Sequence, residues 1–288
     1  MASMRDIKRR KQSVTSTQQI TKAMKLVSTV KLQKARAQAE NTSPYFYAMY
    51  NTVCSMLKRA GAIDNKYLKD NGSKKKGIII ITSNRGLAGG YNSNVVKLIT
   101  GSEMIKEDCK IYVIGNKGGE ALSSKGYEIV KDYSEVMEAP QYSDAMRICQ
   151  DVLNDYVDGQ IGEIYLAYTH FKNTVSQIPT LMQLLPVSVD EQDVLEKENN
   201  GPEALMNFEP NEEEALELII PKYVTSLIYG GLIEAVASEN GARMQAMDNA
   251  TNNAEDIISD LSLKYNRARQ GSITQELTEI IAGAEALS

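Results

Sequence analysis

Two long stretches of helical periodicity, one at each end of the chain, enclose a middle section in which apolar residues gather into short runs. The first stretch has no Gly or Pro before Pro44 and contains helix formers such as Met24, Leu26, Leu32, Ala35, Ala37 and Ala39. Ser3 and Asp6 stand at capping-box spacing for its start. Ile20, Ala23, Val27 and Val30 follow 3-4-3 spacing, widened by Met24, and predict the buried face. Pro44 is expected to bend or briefly break the helix, which then continues through Tyr47, Met49, Val53 and Leu57 towards Gly61.

In the middle the period shortens. GIIIITS (77–83), KIYVIG (110–115) and EIYLAYT (163–169) are β-branched and aromatic runs that read as strands. Helical candidates lie between them at 92–100 and 143–156. Strands alternating with helices predict a compact α/β domain with a largely parallel sheet. QIPTLMQLLPV (177–187) is a further extended stretch whose prolines suit a sheet edge.

After an acidic, Pro- and Gly-containing connector, Asn211 followed by Glu212 to Glu214 marks a second helix start. Pro221 is expected to kink this helix early. Met244, Met247, Thr251, Ala254, Ile258, Leu261, Tyr265 and Ala268 alternate in steps of three and four, the seam of a coiled coil. Beyond Gly271 the phase changes to Ile273, Leu277, Ile280, Ala284 and Leu287, so the last turns face something other than the partner helix. At 1.5 Å per residue the two helices could reach roughly 110 Å and roughly 80 Å. Paired antiparallel, they predict a rod with a globular foot. The resulting division is 1–60 first coiled-coil helix, 75–190 α/β domain, 191–210 acidic connector and 211–288 second coiled-coil helix.

Charge divides unevenly along this plan. Residues 5–40 carry ten Lys or Arg against two acids, and residues 190–217 carry eleven acids against Lys197 alone. The two regions are expected to meet differently charged surfaces. Three cysteines, Cys54, Cys109 and Cys149, share no close spacing and read as reduced thiols in a reducing compartment. No apolar stretch stands out as long enough to cross a bilayer, so membrane association is expected only through partners.

Chemistry-bearing motifs are sparse. Gly86-Leu87-Ala88-Gly89-Gly90 and Gly115-Asn116-Lys117-Gly118-Gly119 follow strands, where a phosphate loop would lie. They lack the dinucleotide spacing and the Lys-Ser or Lys-Thr pair, and read as turn glycines. His170 is the single histidine and has no ligand-spaced Cys or acid beside it. No catalytic constellation, cofactor site or metal site is expected. The basic first helix admits three readings: a nucleic-acid binder, a solvated face, or a surface for an acidic protein partner. Its charges are not interleaved with aromatics, which weighs against the first, and the other two stay open.

Several stretches, in order along nearly the whole chain, resemble the ATP synthase gamma family. They are SVTSTQQITKAMKLVSTVK (13–31), SNRGLAGGYN (83–92), SQIPTLMQLLP (176–186), FEP (208–210), SENGARMQAMDNATNNA (238–254), YNRARQ (265–270) and SITQELTEIIAGAEA (272–286). The resemblance implies a non-catalytic rotor shaft. Its terminal helices would form an antiparallel coiled coil inside a ring of three alpha and three beta subunits, and its Rossmann-like foot would carry epsilon and sit on the c ring. Met24 and Lys25 match positions facing the acidic lever of beta. Arg243, Arg269, Gln270, Thr274 and Glu276 match coil and upper-shaft positions that touch beta. Met206, Phe208 and Glu209 match foot positions near epsilon and the c ring, where the family often has Tyr at the first. The regulatory dithiol of chloroplast members is absent. The implied setting is bacterial, peripheral to the cytoplasmic side of the inner membrane. Two readings from other classes, a nucleotide-binding α/β enzyme and a basic coiled-coil nucleic-acid binder, leave the C-terminal motif unexplained.

Overall fold

The computed structural model describes residues 4–59, 65–68, 71–187 and 212–285. Asn211 and the 191–210 connector, with Met206, Phe208 and Glu209, lie outside the described residues, as does Ser3. The elements are α1 (Met4–Arg59), β1 (Lys76–Ile81), α2 (Tyr91–Thr100), β2 (Cys109–Ile114), α3 (Asn116–Ser124), β3 (Glu128–Asp132), α4 (Tyr142–Val157), β4 (Glu163–Phe171), β5 (Gln177–Leu185) and α5 (Glu212–Glu285). They form two compact units, residues 30–242 and residues 1–29 with 243–288.

The larger unit is built on one sheet of order β3-β2-β1-β4-β5. β1 pairs in parallel with β2 and β4, β2 in parallel with β3, and β5 lies antiparallel on β4. The run Ile78 to Ile81 explains why β1 is central: alternate side chains leave a strand on opposite faces, and all four are buried. Ile78 and Ile80 pack with Val95, Ile99 and Leu122 of α2 and α3. Ile79 and Ile81 pack with Ile148 and Val152 of α4 and with Leu216, Ile220, Val224 and Ile228 of α5. Burial on both faces requires an unbroken apolar run.

β3 and α3 escape sequence reading for opposite reasons. Most of β3 is exposed, so EIVKD shows neither alternation nor an apolar run. α3 contains two glycines that read as loop. An added Cβ at Gly118 would lie 2.7 Å from Thr82 Oγ1, and one at Gly119 3.1 Å from Val113. These glycines serve close helix–strand packing.

α1 runs through Pro44 and α5 through Pro221 without interruption. The break expected at Pro44 therefore does not occur. A proline forfeits one backbone donor, and burial of Leu32 and Ala35 before it and Val53 and Met56 after it holds both flanks helical. α5 also corrects the bilayer expectation. It holds an 18-residue window apolar enough by composition to span a membrane, but 61% of that window is buried inside the protein. A helix that is apolar around its circumference belongs in a core, and α5 lies across the sheet.

In the smaller unit α1 and α5 run antiparallel. Thr21 Oγ1 is 2.8 Å from Thr251 Oγ1, and Lys25 Nζ donates to Asp248 Oδ1 at 2.6 Å. As one number rises, the other falls. On α5 the covered positions include Met244, Met247, Thr251, Ala254, Ile258, Leu261, Tyr265 and Ala268, the seam read from sequence, with Ala246, Asp248, Ala250 and Ser262 beside it. On α1 they are Ile7, Lys11, Val14, Thr15, Gln18, Thr21, Met24, Lys25, Ser28 and Thr29. The stripe expected there is wrong: Ile20, Val27 and Val30 are 57%, 58% and 66% exposed.

Candidate functional site

Ligands of open parallel sheets gather at the carboxyl ends of the strands, so the glycine turns after β1 and β2 are the first place to look for one. The amides of the second turn are already engaged, several of them with residues that follow β1. Thr82 Oγ1 donates to Gly115 O and accepts from the Gly118 N–H, both at 2.9 Å. Asn84 Oδ1 accepts from the Asn116 N–H at 3.1 Å, Ser83 O from the Lys117 N–H at 3.1 Å, and Ser134 Oγ from the Gly115 N–H at 3.2 Å. A Cβ on Gly115 would stand 2.0 Å from Thr82 O. These amides, which a phosphate would require, hold the two turns together instead.

The perturbed ionisable groups also stand in structural pairs. Burial works upward on Asp151, but bonds from Lys131 and Tyr133 prevail and leave it below the usual carboxylate range. Glu163 is lowered in the same way by Lys76 and Tyr165. The Tyr112 phenol, bonded to Asp155, is raised by burial first and by that carboxylate second. Cys149 is 2% exposed, and burial pushes its thiol up to about 11, the opposite of a nucleophile's requirement. His170 Nδ1 lies 2.7 Å from Glu234 Oε2. Among the described residues no group of three or more His, Cys, Asp or Glu is placed to hold a metal.

What remains as functional surface lies on the smaller unit. Met24 and Lys25 lie half-buried on α1, and Lys25 is already paired with Asp248. Arg243 is half-buried on α5. Arg269, Gln270, Thr274 and Glu276 are exposed on the same helix, about 39 Å further along at 1.5 Å per residue. The nominated positions thus form two separated groups and make no single site.

Beyond Ser272 every α5 side chain described is exposed, including Ile273, Leu277, Ile280 and Ile281. The register places Met4, the first described residue of α1, opposite Ala268, so among the described residues of this unit none stands beside the tip. A second apolar surface, missed in the sequence, is the outward face of α1 formed by Ile20, Leu26 and Val27. Its signal was present: apolar periodicity on α1 that a polar seam leaves uncovered calls for a further partner. Single exposed apolar residues are ordinary, whereas continuous faces mark interaction sites.

Closed turns, structural ion pairs and uncovered helix faces define a structural subunit that acts through protein surfaces. Comparison with known proteins narrows this class. The family profile for ATP synthase matches residues 3–287. The ATP synthase gamma chain of Lachnoclostridium phytofermentans is 65% identical over 100% of both chains. A sodium-ion-specific ATP synthase gamma chain of Acetobacterium woodii is 40% identical over 99% of each. In fold, a chain of the Euglena gracilis mitochondrial ATP synthase (OSCP/F1/c-ring) is similar at TM-score 0.70 and 20% identity, covering 99% of this chain and 94% of that one. A chain of the Tetrahymena thermophila mitochondrial central stalk/c-ring matches at TM-score 0.59 and 23% identity, covering 80% and 99%. The chain belongs to the ATP synthase gamma family.

Proposed function

We propose that this chain is the central rotor shaft of an F-type ATP synthase, coupling ion-driven rotation of a c ring to ATP synthesis or hydrolysis at beta-subunit sites. The observation that carries the reading is the unaccompanied tip of α5. A helix that outruns its partner and shows Ile273, Leu277, Ile280 and Ile281 needs an apolar sleeve, and a ring of three alpha and three beta subunits supplies one. At its far end the exposed side chains from Ile280 to Ala284 are apolar or small, which suits a surface that slides rather than locks.

The coil below the tip carries the contacts proposed to transmit torque. Lys25 serves Asp248 in the free chain, so an acidic lever on beta shares or competes for that cation. Met24, Arg243, Arg269, Gln270, Thr274 and Glu276 are the other proposed beta contacts. Met206, Phe208 and Glu209 are proposed to meet epsilon and the c ring. The chain would sit at the cytoplasmic face of a bacterial inner membrane, held there only by partners, and bind neither cofactor nor nucleic acid.

The test is assembly from purified parts. Mixing the chain with separately purified alpha and beta subunits should give, by native mass, one copy per three of each, with ATP hydrolysis absent from the chain alone. Well-folded components that stay apart would refute the reading.

A further inference from the structure

The larger unit contains a cavity of about 280 Å³ where α1, the start of α4, β4, β5 and α5 meet. Gly230 and Gly231 of α5 line it, and Gly231 lets α5 approach β4 so closely that an added Cβ would lie 2.9 Å from Leu166. Four tyrosines line it as well: Tyr45, Tyr142, Tyr168 and Tyr229. Tyr229 is positioned from two sides. Gln38 Nε2 donates to its hydroxyl at 2.9 Å, and its ring meets that of Tyr142 edge-on at 78° with centroids 5.7 Å apart.

The charge of the wall has one sign. Glu40 and Glu234 line it, and no Lys, Arg or His does so among the described residues. Among the described residues Glu40 has an exposed contact with Arg36 at 3.4 Å, and Glu234 one with His170, which carries charge only when protonated. The field of Glu234 reaches inward: burial first and this carboxylate second raise the Tyr168 phenol. Aromatic faces attract cations through their quadrupole, most strongly where water is excluded, and two carboxylates reinforce the preference. An anion would meet repulsion, and a neutral guest would gain only from burial.

We propose that this tyrosine-lined cavity is a binding site for a small monovalent organic cation, a quaternary ammonium with an aromatic or alkyl body. A guest there would touch α1, α4, β4, β5 and α5 together and so bind the helices of this unit more firmly to its sheet.

Benzyltrimethylammonium is a direct probe, and its neutral carbon isostere, neopentylbenzene, is the control. Titration of the full chain, followed by saturation-transfer NMR and calorimetry, should show saturable one-to-one binding of the cation. The isostere should bind about tenfold more weakly, and Glu234→Gln and Tyr229→Leu should each weaken the cation by about tenfold. Glu40→Gln, at an exposed position that leaves packing untouched, should weaken it several-fold even if Tyr229→Leu fails to fold. No saturable binding to the folded wild-type chain would overturn the proposal. So would equal affinity for the isostere, or affinity unchanged in both glutamine variants.

Discussion

At the scale of single residues, close approach and burial make different demands that substitutions can separate. Gly115 has φ +103° and no room for a Cβ, whereas a Cβ on Gly86 would meet nothing within 4 Å. Gly115→Ala should therefore cost about 2–4 kcal/mol in urea unfolding, and Gly86→Ala no more than about 0.5 kcal/mol. Cys149 links burial to pH. Its folded thiol is raised from 9.0 to about 11, so both folded and unfolded chains keep the proton below pH 9 and stability is whole there. Above that pH the unfolded chain releases the proton first, and the contribution is lost as pH climbs through about 11, in total about 2–3 kcal/mol. Urea midpoints should fall between pH 7.5 and 10.5, and Cys149→Ala should lessen the fall. Among the proposed beta contacts, no exposed charge should be indispensable, because a surface ion pair contributes about 1 kcal/mol or less. Arg269→Ala alone should leave ATP-driven coupling in the assembled complex within several-fold, and its abolition with assembly intact would show that torque passes through one contact. The glycine turns lacked a nucleotide spacing, and the structure adds the reason for the glycines, which is proximity to Thr82 and Val113.

At the scale of elements, what was legible followed the polarity of the buried face. The α5 seam could be read because Met247, Ala254 and Leu261 are apolar and buried. The α1 seam could not, because Lys11, Gln18, Thr21, Lys25 and Ser28 occupy it. Some of these polar side chains meet polar partners across the seam, Thr21 with Thr251 and Lys25 with Asp248. Apolar periodicity then selected Ile20, Ala23, Val27 and Val30, which are exposed, and so marked an uncovered face while searching for a core. The central strands were evident from their isoleucines, and the exposed edge strand β3 was not. The two halves of α5 predict contrasting responses. Leu261 is 7% exposed and Ile280 is 68% exposed. Leu261→Ala should destabilise the coil by about 2 kcal/mol, seen as faster amide exchange across 243–268. Ile280→Ala should leave exchange and melting of the free chain unchanged.

At the scale of the whole molecule, each compact unit carries a different kind of surface. The larger buries its sheet on both faces and holds its ionisable groups in structural pairs. The smaller is a two-helix coil with one polar seam, an outward apolar stripe and a bare tip. An isolated protein gains nothing from leaving Ile20, Leu26, Val27 and Ile280 in water, since each buried apolar side chain would contribute about 1.5–3 kcal/mol. Those faces have a use in a subunit that a larger assembly encloses. Family membership fixes which assembly, and with it the role of a central-stalk subunit. The most direct test is single-molecule rotation. A complex of this chain with three alpha and three beta subunits, immobilised through beta, would carry a bead on a cysteine introduced at the exposed loop residue Lys125. Sustained one-way rotation of the bead during ATP hydrolysis is the predicted result. Hydrolysis at full rate with the bead stationary would contradict the shaft reading.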